Sequence, residues 1–108
     1  MKVIDNELID SVIGKARQSS RLRMNYNFHQ SLDDKCHRFL NALEVGTQVP
    51  IHHHVTKDES FILLRGSVRV NTYDDSGTII ESVVLSHSEG RIGPRKTFWE
   101  RKKLANCY

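Results

Sequence analysis

The sequence predicts a small all-β domain preceded by one helix. Three observations carry this expectation. Arg21 to His29 alternates, with Leu22, Met24, Tyr26 and Phe28 on one side and Arg21, Arg23, Asn25, Asn27 and His29 on the other, as a half-buried strand does. Ser67–Tyr73 and Thr78–Leu85 are two further β-rich runs, joined by Asp74-Asp75-Ser76-Gly77, a hairpin-turn signal. Short strands at this spacing favour a sandwich or barrel over a helical fold. Only Asp5–Gln18 departs from the pattern, with Leu8, Ile9, Val12, Ile13 and Ala16 at helical spacing.

Taken in order, the helix comes first. Asp5 can cap its first turn, Glu7 sits near the positive end of its dipole, and Lys15 and Arg17 fall in the last turn. The alternating stretch 21–29 follows. Its polar side is rich in groups that bind anions and hydroxyls, so it is either a solvated face or a substrate-facing wall on which Arg21 and Arg23 hold phosphate or carboxylate. Gln30–Lys35 is polar and reads as a loop. His37–Glu44 resumes extended structure, with Leu40 and Ala42 facing away from Phe39, Asn41 and Leu43. His37 reads as a satisfied or exposed histidine, not a ligand.

The stretch from Gly46 to Gly66 organises the chain. Three of the six histidines lie here, at His52, His53 and His54, and Glu59 follows five residues later. On an extended backbone, residues two apart share a face, so His52 and His54 project together and His53 projects away. A turn through Val55-Thr56-Lys57-Asp58 lets Glu59 open the next strand and face back toward them. From Phe61 to Leu64 both sides are largely apolar, which predicts a strand between two packed layers. Gly66 permits a tight reversal, and Pro50 biases Val49 toward extension. Two neutral imidazoles and a carboxylate suit iron(II), manganese, nickel, copper or zinc better than calcium or magnesium. Three protein ligands also leave coordination positions open, which a catalytic metal needs.

Gly46, five residues, His52, one residue, His54, four residues, Glu59, six residues, Gly66 resembles the first motif of the cupin superfamily. Ser20–His29 and Arg38–Glu44 resemble the WbuC-type cupin-fold metalloproteins of bacteria. The likeness runs over about residues 1 to 90. It implies a small jelly-roll β-barrel holding one divalent transition metal (iron, manganese, nickel or zinc) on His52, His54 and Glu59. It further implies a sugar or nucleotide-sugar ligand from surface-polysaccharide metabolism, lined by Arg21, Arg23, Asn25, Asn27 and His29. A non-catalytic metal- or ligand-binding module, or an inactive truncated cupin, is the alternative.

The resemblance fails in the tail. Cupins supply a further histidine from a second motif, and here Glu100 stands near its place after Pro94 and Trp99. Glu100 is therefore a candidate oxygen ligand. Residues 91–108 are atypical and basic, with no strand alternation, so the last barrel strands are expected to be altered or missing. Unpaired strand edges invite association, and a homodimer is expected.

Length and charge bound the rest. The 108 residues fit one domain, read as residues 1–90 with a tail of 91–108. The formal charge of +3 arises entirely in that tail: residues 1–90 carry ten Lys/Arg against twelve Asp/Glu, and residues 91–108 carry six against the single Glu100. Without a nucleic-acid motif or a stacking platform, no nucleic-acid partner is expected. Cys36 and Cys107 make no disulfide framework. No signal peptide is visible, and no apolar run approaches the ~18 residues of a membrane span, so the expected compartment is the cytoplasm. His87 is read as part of a polar loop.

Overall fold

Asp5 sets the start of helix α1, Asn6–Gln18: its carboxylate accepts the Leu8 N–H at 2.8 Å. The computed structural model describes residues 1–87 in full and, beyond them, the backbone of residues 98–101 and 104–107. After the helix come the strands β1 (Arg23–Asn27), β2 (Phe39–Leu43), β3 (Asp58–Phe61), β4 (Gly66–Tyr73), β5 (Ile79–His87), β6 (Phe98–Arg101) and β7 (Leu104–Cys107). The chain is thus mostly β with one helix, as the patterning predicts. It divides into two compact units, Met1–Gln48 and Val49–Tyr108. The tail strands β6 and β7 fall in the second unit.

In the first unit β1 and β2 pair antiparallel, with Asn25 opposite Asn41. The helix lies against both strands. Its apolar stripe faces inward, with Val12 and Ala16 buried. This local arrangement explains why the unit closes without residues beyond 48: helix and hairpin cover one another. Arg17 reaches from the last helical turn to Glu44, 3.2 Å away.

The strand expected over residues 21–29 is shorter. Leu22 has φ 55°, a left-handed conformation that breaks extension. Arg21 therefore lies in a turn, held where the Thr47 hydroxyl donates to its carbonyl at 2.7 Å. Gly46, at φ 94°, supplies the matching reversal after β2, and a Cβ there would stand 3.6 Å from Leu22 Cδ1. At the other end, His29 lies beyond β1. Asn41, between the apolar residues Leu40 and Ala42, is exposed.

In the second unit β4 is the central strand of the sheet β5-β4-β7. Val70 and Leu85 are buried on it. The β4–β5 hairpin turns where the sequence predicts. Gly77 has φ 83°, and Asp74 Oδ1 accepts the N–H groups of Ser76 and Thr78, both at 2.9 Å. Those bonds, the Ser76 hydroxyl foremost, hold the Asp74 carboxyl below its ordinary pKa. The return strand runs to His87, which pairs with Gly66 inside the sheet and not in a loop.

Two further expectations are corrected. The stretch after Glu59 is not enclosed between two layers: β3 ends at Phe61, Asp58–Ser60 are exposed, and Ile62 is half-exposed. The tail is not devoid of strands, because β6 pairs with β3 and β7 pairs with β4. Alternation fails to reveal these two because their partners lie far back in the chain. The strands form one three-stranded and two two-stranded sheets, so no closed barrel exists among the described residues.

Candidate metal centre

Pro50 begins the site. It ends the run from Gly46, and its carbonyl oxygen lies 2.8 Å from Nδ1 of His52. A carbonyl only accepts, so that ring nitrogen carries the proton. The lone pair of neutral His52 is then on Nε2, free to bind a cation. A hydrogen bond from the non-ligating nitrogen to a carbonyl is the usual support of a metal-binding histidine.

Two residues on, His54 brings a second imidazole beside the first. The ring centroids are 5.3 Å apart and the planes 83° apart. The chain then bends at Val55 and Thr56 and enters β3 at Asp58, one residue earlier than predicted. This bend returns Glu59 to His54, with Oε2 3.4 Å from Nε2. His52, His54 and Glu59 each offer one ligand atom, and these atoms lie within 4.8 Å of one another.

That geometry fits a transition-metal ion. Ligand bonds of about 2.1 Å in a tetrahedral site place donor atoms roughly 3.4 Å apart. The His54–Glu59 pair stands at that separation, and closing the remaining distances takes a shift of about 1 Å. As an ion pair alone, the His54–Glu59 contact would contribute little, because both side chains are 45% exposed. All three residues are exposed, so a metal held there would face solvent on its open side.

The five residues expected to line a ligand wall belong to the first unit, and the triad belongs to the second. Arg21 is exposed in its turn, and Asn25 and Asn27 are exposed on β1. Arg23 is half-buried and donates from Nη1 to the Gln48 carbonyl. His29 stacks on His37, with centroids 4.2 Å apart and planes 6° apart. Each ring also lies against a backbone carbonyl, His29 Nδ1 on Arg38 and His37 Nε2 on Leu32. His37 is thus satisfied, as expected, whereas its partnership with His29 has no counterpart in strand alternation. Asp34 closes the loop between them by accepting the N–H groups of Gln30 and Ser31. Those bonds, Gln30 first, hold its carboxyl below the ordinary value, and the two histidines add to the effect. Cys36 is free and exposed. The residues leading from Arg91 to Thr97 lie outside the described residues, as does the side chain of Glu100.

A family model described as "Domain of unknown function (DUF6016)" matches residues 4–85. The chain belongs to this family. The DUF6016 match takes in the helix, the first four strands, most of β5 and all three residues of the triad. It stops before β6 and β7. No curated protein and no solved structure matches the chain. No helix among the described residues is long and apolar enough to cross a membrane.

Proposed function

We propose that the protein binds one divalent transition metal through His52, His54 and Glu59. The observation that carries this reading is the convergence of their three ligand atoms within 4.8 Å. The Pro50 carbonyl behind His52 supports it, because that bond leaves Nε2 as the free donor. On this reading the chain is a cupin-type metalloprotein of the WbuC kind. Its strands then form part of a jelly-roll barrel, and it works in the cytoplasm as a homodimer. The open metal positions take a small oxygen-rich ligand, a sugar or sugar nucleotide. Iron, manganese, nickel and zinc all match the ligand set.

A second reading, of a non-catalytic binding module, is favoured by the exposure of the triad. Catalytic metals gain from a site that excludes water, and these three side chains lie open. One experiment tests the shared core of both readings: elemental analysis of the purified protein beside His52→Ala and His54→Ala. Stoichiometric metal in the unmodified protein, lost in both variants, is expected. No metal above background would end the proposal. Screening sugar nucleotides for a shift in melting temperature of the metal-loaded protein then separates ligand binding from bare metal binding.

A further inference from the structure

Strand β5 runs regularly only beyond a bulge. Thr72 of β4 pairs with Glu81 and Tyr73 with Ile79, so Ile80 is an extra residue in β5. A bulge bends its strand and interrupts the ladder. The regular part of β5 is therefore Glu81–His87, with Val84 at its midpoint. β4 covers one edge of this segment, and among the described residues no strand pairs with the other. Residues 79–87 include no Lys, Arg or Pro, the residues that commonly guard an open edge. Val84 is 49% exposed.

By chemical type, the segment reads alike in both directions. Glu81 answers His87, Ser82 answers Ser86 and Val83 answers Leu85, about Val84. An antiparallel pairing of β5 with itself has two-fold symmetry. Only alternate residues of β5 turn their N–H and C=O groups to the open edge. Opposed residues must agree in this, so the axis passes through a residue and not between two. An axis through Val83 would set Glu81 against Leu85, and one through Ser82 would set it against Val83. An axis through Leu85 would set Val83 against His87. An axis through Val84 matches every pair: carboxylate with imidazole N–H, hydroxyl with hydroxyl, apolar with apolar. Ser82 accepts from Arg69 Nη1 at 3.5 Å and keeps its own O–H to donate to the partner's Ser86.

We propose that the outer edge of β5 docks a second copy of this chain, the two β5 strands pairing antiparallel about an axis at Val84. The sheets β5-β4-β7 of the two copies then join into one of six strands. This inference rests on the homodimer reading above, to which it assigns a surface, and it needs no metal.

The test uses the full chain carrying Cys36→Ser and Cys107→Ser, so that any thiol is an introduced one. Across the axis the two copies of position 84 stand with Cα atoms about 5 Å apart, within disulfide reach. Oxidised Val84→Cys is expected to run as a covalent dimer on a non-reducing gel. Ser82→Cys is expected not to, because its two copies lie four residues apart, about 13 Å. Val84→Lys sets like charges face to face, and Arg69, opposite Val84 in β4, adds to them. Analytical ultracentrifugation is expected to show the unmodified protein as a dimer and Val84→Lys self-associating at least about ten-fold more weakly. A dimeric unmodified protein whose Val84→Cys variant fails to cross-link would overturn this inference and leave the homodimer to another surface. A monomeric unmodified protein would remove the homodimer reading and this inference together.

Discussion

Nδ1 of His52 lies 2.8 Å from the carbonyl oxygen of Pro50, two residues earlier in the chain. This contact is made within the backbone's own reach, so the site is oriented before any ion arrives. It gives the first prediction a direction. His52→Ala and His54→Ala each remove a nitrogen donor and are expected to abolish metal retention. His53→Ala is expected to retain it, because His53 is not among the converging ligand atoms. Elemental analysis of the three variants decides the matter. Loss of metal in His53→Ala alone would mean the ligand set is misassigned.

The helix cap and the helix underside offer a second test, confined to the first unit. Asp5→Ala removes the acceptor of the Leu8 N–H and is expected to cost about 1 kcal/mol. Ala16 has no exposed surface, so Ala16→Leu must overpack the contact of α1 with β1 and β2 and is expected to cost about 1 to 3 kcal/mol. Urea denaturation measures both. An Ala16→Leu variant as stable as the unmodified protein would show that the helix does not seat on those strands.

Gly77 sits at φ 83°, with open space where a Cβ would stand. Gly77→Ala therefore meets no clash, and its penalty is backbone conformation alone, roughly 1 to 2 kcal/mol. A thermal melt that leaves Gly77→Ala unchanged would contradict the turn geometry. The neighbouring Asp74 adds a pH signature. Its carboxyl is held below the ordinary aspartate value of about 3.8 by the Ser76 hydroxyl first, and by backbone N–H groups. A depressed carboxyl stabilises the fold above its unfolded pKa, and that contribution disappears as pH falls through the folded value. Asp74→Asn should therefore lower Tm at neutral pH. The gap from the unmodified protein should close only when the pH drops below about 3.8.

Thr72 is buried in the central strand β4, and its hydroxyl oxygen has no hydrogen-bond partner among the described residues. Thr72→Val keeps the shape and removes an unsatisfied polar group. It is expected to stabilise the protein by about 1 to 3 kcal/mol, read as a higher urea midpoint at unchanged slope. A destabilised Thr72→Val variant would mean that the hydroxyl has a partner after all.

Legibility followed the range of the interaction. The Asp74–Gly77 turn was readable because its chemistry is complete within five residues: a carboxylate, two N–H groups and one glycine. The convergence of His52, His54 and Glu59 was readable for the same reason, since a bend of two residues suffices to return Glu59. The limits of β1 were not. Leu22 looked like one more apolar position in an alternating run, and only the Thr47 hydroxyl and Gly46, more than twenty residues later, make its left-handed turn intelligible. The stacking of His29 on His37 was hidden likewise, because it depends on how the intervening loop closes on Asp34.

By itself the amino-acid order determined the helix, the β-rich character of the remainder, and the spacing of His52, His54 and Glu59. These depend on propensity, periodicity and contacts between residues close in sequence. The tertiary structure alone decided that the chain divides after Gln48 and that the basic tail contributes β6 and β7. It alone also set Glu100 opposite Glu59. Pairing between strands about forty residues apart is specified by which edges remain open once the nearer hairpins have formed, and no local pattern records that.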